Sequence, residues 1–162
     1  MKVLSQLAVT FLLLTLAYAQ STTPSKESPM TNHAAGPFDV KVTPEEDKSA
    51  EPTLGRMTLD KHYHGDLEAA GKGTMLTAST EVKGSAAYVA IEHVAGTLKG
   101  RSGTFALQHA GTMDKGAAQL NITVVPDSGT GQLKGLSGKM NIIIAPGGKH
   151  SYELEYTLPE SN

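Results

Sequence analysis

Residues 149–158 read "KHSYELEYTL", and their alternation decides the fold. His150, Tyr152, Leu154, Tyr156 and Leu158 share one parity; Ser151, Glu153, Glu155 and Thr157 share the other. Side chains on a strand point to opposite faces in turn, so this is a half-buried β-strand with its apolar side facing a core. The same period of two runs back through the chain to about residue 54, and no segment keeps an apolar stripe at helical spacing for three turns. The reading yields about eight strands, near 37–43, 55–63, 65–79, 86–98, 103–113, 117–126, 132–145 and 149–158.

The connectors are short and rich in turn formers: "EVKGSA", "LKGRSG", "DKGA", "PDSGTG" and "APGGK". Gly, Asp, Ser and Pro supply positive φ and local side-chain hydrogen bonds, so consecutive strands form antiparallel hairpins. Long, coiled strands of this kind close into a barrel, which removes exposed sheet edges. The expected fold is therefore all-β: an eight-stranded antiparallel barrel over residues 37–158.

One corner phrase occurs twice, as "GTLKGRSG" at 96–103 and "GQLKGLSG" at 131–138. An anion-binding nest of backbone N–H groups would be the functional explanation. Neither copy precedes a helix-like stretch, and the Gly-x-x-x-x-Gly-Lys-Ser/Thr pattern is missing, so both are read as turns centred on Gly100 and Gly135.

Ahead of the strands lie two segments of different texture. Residues 1–19 have a basic start, an apolar run and the small-x-small triple Ala17-Tyr18-Ala19, which predicts a signal peptide cut after Ala19. Residues 20–36, "QSTTPSKESPMTNHAAG", are Ser/Thr/Pro-rich and are expected to be a disordered spacer. The expected location is secreted or periplasmic, with no membrane span, because no second long apolar run follows the first.

Composition narrows function further. The absence of cysteine removes disulfides, lipoprotein anchoring, thiol catalysis and Cys-based metal sites. Loss of Lys2 with the signal takes the net charge from −2 to −3, which argues against a nucleic-acid partner. No Ser-His-Asp, Walker or dinucleotide motif is present, and no cofactor is expected. Asp60, His62, His64, Asp66 and Glu68 alternate in a pattern that could ligate a metal. We read them as a wet outer face instead, because Met57, Leu59 and Tyr63 occupy the opposite parity. Asn121-Ile122-Thr123 is a glycosylation sequon on an outward parity.

Lys61 shares the inward parity of Met57, Leu59 and Tyr63, Glu92 that of Tyr88, Ala90 and Val94, and His109 that of Phe105, Leu107 and Met113. A buried lysine needs a partner, and Glu92 and His109 are the candidates. Tyr63, Tyr88, Tyr152 and Tyr156 could turn hydroxyls to the interior or simply fill it. The candidate ligand-binding residues are Lys61, Glu92, His109, Tyr88 and Tyr152.

The run "GTFALQHAGTMDKGAAQLNITVVPDSGTGQLKGLSGKMNI", followed by "HSYELEYTL", resembles domain-of-unknown-function family 3224. "DKHYHGDLEAAGKGTML" is similar to that family's early block at Lys61, Gly65, Asp66, Leu67 and Met75. "YVAIEHVAGTLKGRSGTFALQH" is similar to its central block at Glu92, Gly96, Gly100, Gly103, Phe105 and His109. The resemblance spans roughly residues 37–158 and implies a calycin-like, allene-oxide-cyclase-like barrel with no assigned activity. The signal peptide and spacer depart from the family pattern.

Three functions fit. The first is an exported barrel holding a small apolar or amphipathic ligand in its interior. The second is an isomerase or cyclase using the Lys61/Glu92/His109 cluster, by fold analogy. The third is a structural or interaction barrel with a packed interior. Neither the ligand nor the oligomeric state follows from the residues.

Overall fold

The structure is a computed structural model and describes residues 30–46, 51 and 53–159. The expected signal peptide, its expected cleavage point and residues 20–29 of the expected spacer lie outside the described residues. The strands are β1 (Asn32–Glu45), β2 (Leu54–Tyr63), β3 (Leu67–Ser79), β4 (Ala86–Leu98), β5 (Arg101–Asp114), β6 (Ala117–Val124), β7 (Ser137–Ile144) and β8 (His150–Thr157). They pair in chain order and β8 returns to β1, so the sheet closes into an eight-stranded, wholly antiparallel barrel. Among the described residues no helix is long and apolar enough to cross a membrane.

β1 begins at Asn32, inside the stretch read as spacer, so the barrel starts earlier than residue 37. Asn32 through Gly36 pair with Tyr156 through Tyr152 of β8. Backbone hydrogen bonding and small side chains order this segment, and neither leaves a hydrophobic alternation to read. Gly36 passes so close to the His64 carbonyl that a Cβ would collide with it.

The two corner phrases are not equivalent. Lys99 and Gly100 have φ of 44° and 82°, the double left-handed geometry of a type I′ hairpin between β4 and β5. Lys134 has φ −59° and ψ 127°, and Gly135 has φ 82°, the geometry of a type II turn. This second corner follows a short 3₁₀ turn, Gly131–Leu133, and leads into β7 rather than centring a hairpin. The strand read at 132–145 is accordingly shorter.

That longer β6–β7 connection plugs one barrel end. Its Leu133 and Leu136 are fully buried against Leu98, Phe105, Leu107, Tyr152 and Leu154, which fill the plugged half. The opposite end carries the β1–β2, β3–β4, β5–β6 and β7–β8 connections and has no such plug among the described residues. There the inward-parity residues Val42, Met113, Leu120 and Ile144 are exposed. The wall is thinnest between β6 and β7, which pair at Ile122–Met140 and Thr123–Lys139 and run unpaired from there to the open end.

Candidate functional site

Lys61, Glu92 and His109 are the three buried charged or polar residues among those described, at 4%, 0% and 2% exposure. They come from β2, β4 and β5, with β3 between the first two. The register explains their convergence. Lys61 lies opposite Gly71, and Glu92 lies opposite Gly73. β3 thus contributes no inward side chain at these two places, and groups from β2 and β4 meet across it. A Cβ at Gly71 would fall on Glu92 Oε1. His109 is the diagonal neighbour of Glu92 on β5, since Glu92 pairs with Leu107.

The Glu92 carboxylate is the hub. Lys61 Nζ donates to Oε2 at 2.7 Å, and the Tyr63 hydroxyl donates to Oε1 at 2.8 Å. Lys61 Nζ also donates to the Tyr63 hydroxyl oxygen at 3.2 Å. The ammonium sits 5.4 Å from the Phe38 ring centroid and 5.5 Å from that of Tyr63, within cation–π range. His109 Nε2 lies 3.1 Å from Oε2, but its approach is bent, leaving Nε2 without an aligned hydrogen-bond partner. An unprotonated Nε2 would set a lone pair against the carboxylate, so the proton belongs on this nitrogen.

Burial by itself would raise the Glu92 pKa. His109, Lys61 and the Tyr63 hydroxyl overcome that penalty and hold it below the ordinary carboxylate value. Tyr63 is pushed strongly upward, first by burial and then by the Glu92 charge, so it stays a donor. The set is a mutually compensated buried network, the condition under which ions survive out of water.

Tyr152 and Tyr88 stand apart from this network. The Tyr152 hydroxyl accepts from Leu67 N–H at 2.8 Å and donates to the His64 carbonyl at 3.1 Å, bracing the β2–β3 turn. Its ring meets Tyr63 edge-on at 5.5 Å. Tyr88 is half-buried at the open end, lying flat across Gly111, where a Cβ would strike its ring. Burial, and then the Glu92 charge, raise the Tyr88 pKa, so its hydroxyl too stays protonated. Tyr63, absent from the sequence-derived site set, is integral to the network. Its inward parity was readable, but the missing side chains of β3 that let it reach Glu92 show only in the register.

Above the network the barrel opens into a cup of about 490 Å³. Met57, Met75, Tyr88, Met113, Leu120 and Ile144 supply its large walls, with small residues between them. Lys61, Glu92 and His109 do not line it. They sit deeper along the strands that line it: Lys61 lies beyond Met57 and Leu59 on β2, Glu92 beyond Tyr88 and Ala90 on β4, and His109 beyond Gly111 on β5. A shallow groove of about 620 Å³ on the outer wall, bordered by Leu54, Leu76 and Val89, shares the rim residues Tyr88, Gly111 and Leu120.

The Asp60–Glu68 stretch does not form one face. Gly65, at φ 90°, turns the chain between His64 and Asp66, so the alternation does not continue along one strand. His64 stands 3.5 Å from Asp39 and 3.6 Å from Glu68, both exposed, and no metal-ligand cluster is found among the described residues. Asn121 is exposed on β6.

Fold and site together define a small, open-ended antiparallel barrel with an ion network beneath an apolar cup. The chain belongs to the DUF3224 family: the family model, described as a protein of unknown function, matches residues 34–156. A crystal structure of a protein of unknown function from that family, from Shewanella oneidensis MR-1, is 48% identical. It covers 82% of this chain and 100% of its own, with a TM-score of 0.76. No curated protein matches the chain.

Proposed function

We propose that the protein is an exported barrel that binds a small apolar ligand in the cup at its open end. The observation that supports this is the cup itself: about 490 Å³, walled by large apolar side chains, in a barrel whose other half is packed solid. Cavities of several hundred Å³ with apolar walls and few polar groups are the usual form of small-molecule sites. Tyr88 contacts the ligand. Lys61, Glu92 and His109 serve the site from below, fixing the strands that carry Met57, Met75 and Ala90. Tyr152 acts at one remove by bracing the β2–β3 turn.

The test is titration with N-phenyl-1-naphthylamine, a neutral fluorophore that brightens in apolar surroundings. Saturable one-to-one binding is expected. Met113→Lys and Leu120→Lys place charges at the rim, at positions 43% and 42% exposed, so folding survives them while binding falls at least tenfold. No saturable binding, or binding that both folded variants retain, overturns the proposal. Export is tested separately: the mature protein is expected to begin at Gln20, and an intact Met1 on the native protein excludes it.

A further inference from the structure

We infer that the cup selects an uncharged ligand, mostly hydrocarbon, that carries one hydrogen-bond acceptor for the Tyr88 hydroxyl, such as an aryl or alicyclic ketone, ester or ether. This rests on the proposed function above and narrows it to a chemical class. Two observations carry it.

The first is the absence of charge at the site. Among the described residues no Lys, Arg, His, Asp or Glu lines the cup. An anionic ligand drawn into it would meet no compensating cation, and an uncompensated ion in an apolar site is strongly disfavoured. The nearest buried cation is already taken. Lys61 donates to both Glu92 and Tyr63 and lies beneath two aromatic rings, a layer below the cup floor. The Glu92 charge reaches upward far enough to help raise the Tyr88 pKa, a field that also opposes an anion there. A cationic ligand would find no carboxylate lining the cup to receive it.

The second is the Tyr88 hydroxyl. Among the described residues it has no hydrogen-bond partner, whereas the hydroxyls of Tyr63 and Tyr152 are engaged. Its ring is seated by the missing side chain of Gly111 and points across β5 toward the Leu120 side of the cup. A half-buried tyrosine held flat with a free O–H is a fixed donor in a cavity whose other polar lining is Thr77, Ser79, Thr112 and Gln119. Such a group orients a ligand and sets its specificity.

The experiment uses matched probes on the full mature protein. N-phenyl-1-naphthylamine is compared with 8-anilino-1-naphthalenesulfonate, the same arylamine bearing a sulfonate on its ring. The neutral probe is expected to bind at least tenfold more tightly. A neutral naphthyl ketone, 6-propionyl-2-dimethylaminonaphthalene, then tests the donor. Tyr88→Phe should weaken the ketone roughly three- to tenfold more than it weakens the arylamine, the worth of one neutral hydrogen bond. If neither arylamine binds, the cup reading itself fails. If the sulfonate binds as well as the neutral probe, or Tyr88→Phe leaves the ketone's affinity intact, the cup stands and the inference about ligand class is overturned.

Discussion

Replacing Glu92 by Gln removes one negative charge from the centre of the barrel and little else. Gln has the same shape, and its carbonyl oxygen can still accept from Tyr63. What it cannot do is neutralise Lys61, whose Nζ lies 2.7 Å from Oε2 in a site where the two side chains are 5% and 0% exposed. An exposed ion pair would contribute under about 1 kcal/mol. Breaking a buried one strands the surviving charge, at a cost of about 3–5 kcal/mol. Because Gln keeps part of the hydrogen bonding, the expected loss is near the lower end, about 3 kcal/mol. For a urea slope of about 1.5 kcal/mol/M, that moves the unfolding midpoint down by about 2 M. Far-ultraviolet circular dichroism reads the transition. Lys61→Met added to Glu92→Gln should restore stability to within about 1 kcal/mol of wild type, because the stranded ammonium is gone. A single variant that loses less than about 1 kcal/mol, or a double variant that recovers nothing, refutes the reasoning.

The acid response follows from the same carboxylate. Its folded pKa is depressed, so its contribution is complete above the unfolded value of about 4.3 and is lost as pH falls through the folded value. The stability gap between wild type and Glu92→Gln should therefore close in urea melts taken from pH 7 to below 4; a constant gap contradicts this. Gly71→Ala puts a methyl group on Glu92 Oε1 and should cost about 1–2 kcal/mol, overpacking outweighing the entropy gained from removing a glycine. In a Glu92→Ala background the same change should be tolerated, as thermal melts of the pair would show. Tyr152→Phe leaves the Leu67 N–H without its acceptor and should cost about 1–3 kcal/mol in urea unfolding.

The barrel was legible because its signals are local. The alternation at 149–158 and the glycine-bearing corners define strands and hairpins without long-range information, and β8 indeed buries Tyr152, Leu154 and Tyr156. Inward parity likewise placed Lys61 and His109 in the interior; the face opposite Glu92 carries Val89 and Ile91, so Glu92 was singled out by its family-like block instead, and all three are buried. Three features were not legible. The first five residues of β1, Asn32 through Gly36, are held by backbone pairing to β8, which leaves no side-chain pattern. The second Leu-Lys-Gly corner copies the first in sequence but follows a 3₁₀ turn, since the plug it belongs to is set by burial of Leu133 and Leu136. The separation of cup from ion network depends on register: a two-residue step along β5 divides His109 from Gly111, and with it the buried layer from the cup.

Three of the methionines, Met57, Met75 and Met113, line the cup, while Met140 is buried in the plugged half. Carbon-13 labelling of the methionine methyl groups therefore gives a reporter inside the proposed site and a control outside it. On titration with N-phenyl-1-naphthylamine, saturable shifts are expected in the resonances of Met57, Met75 and Met113, with Met140 unmoved. Shifts confined to Met140 or to the exposed Met30, or no shifts at all, would contradict the assignment of the cup as the binding site.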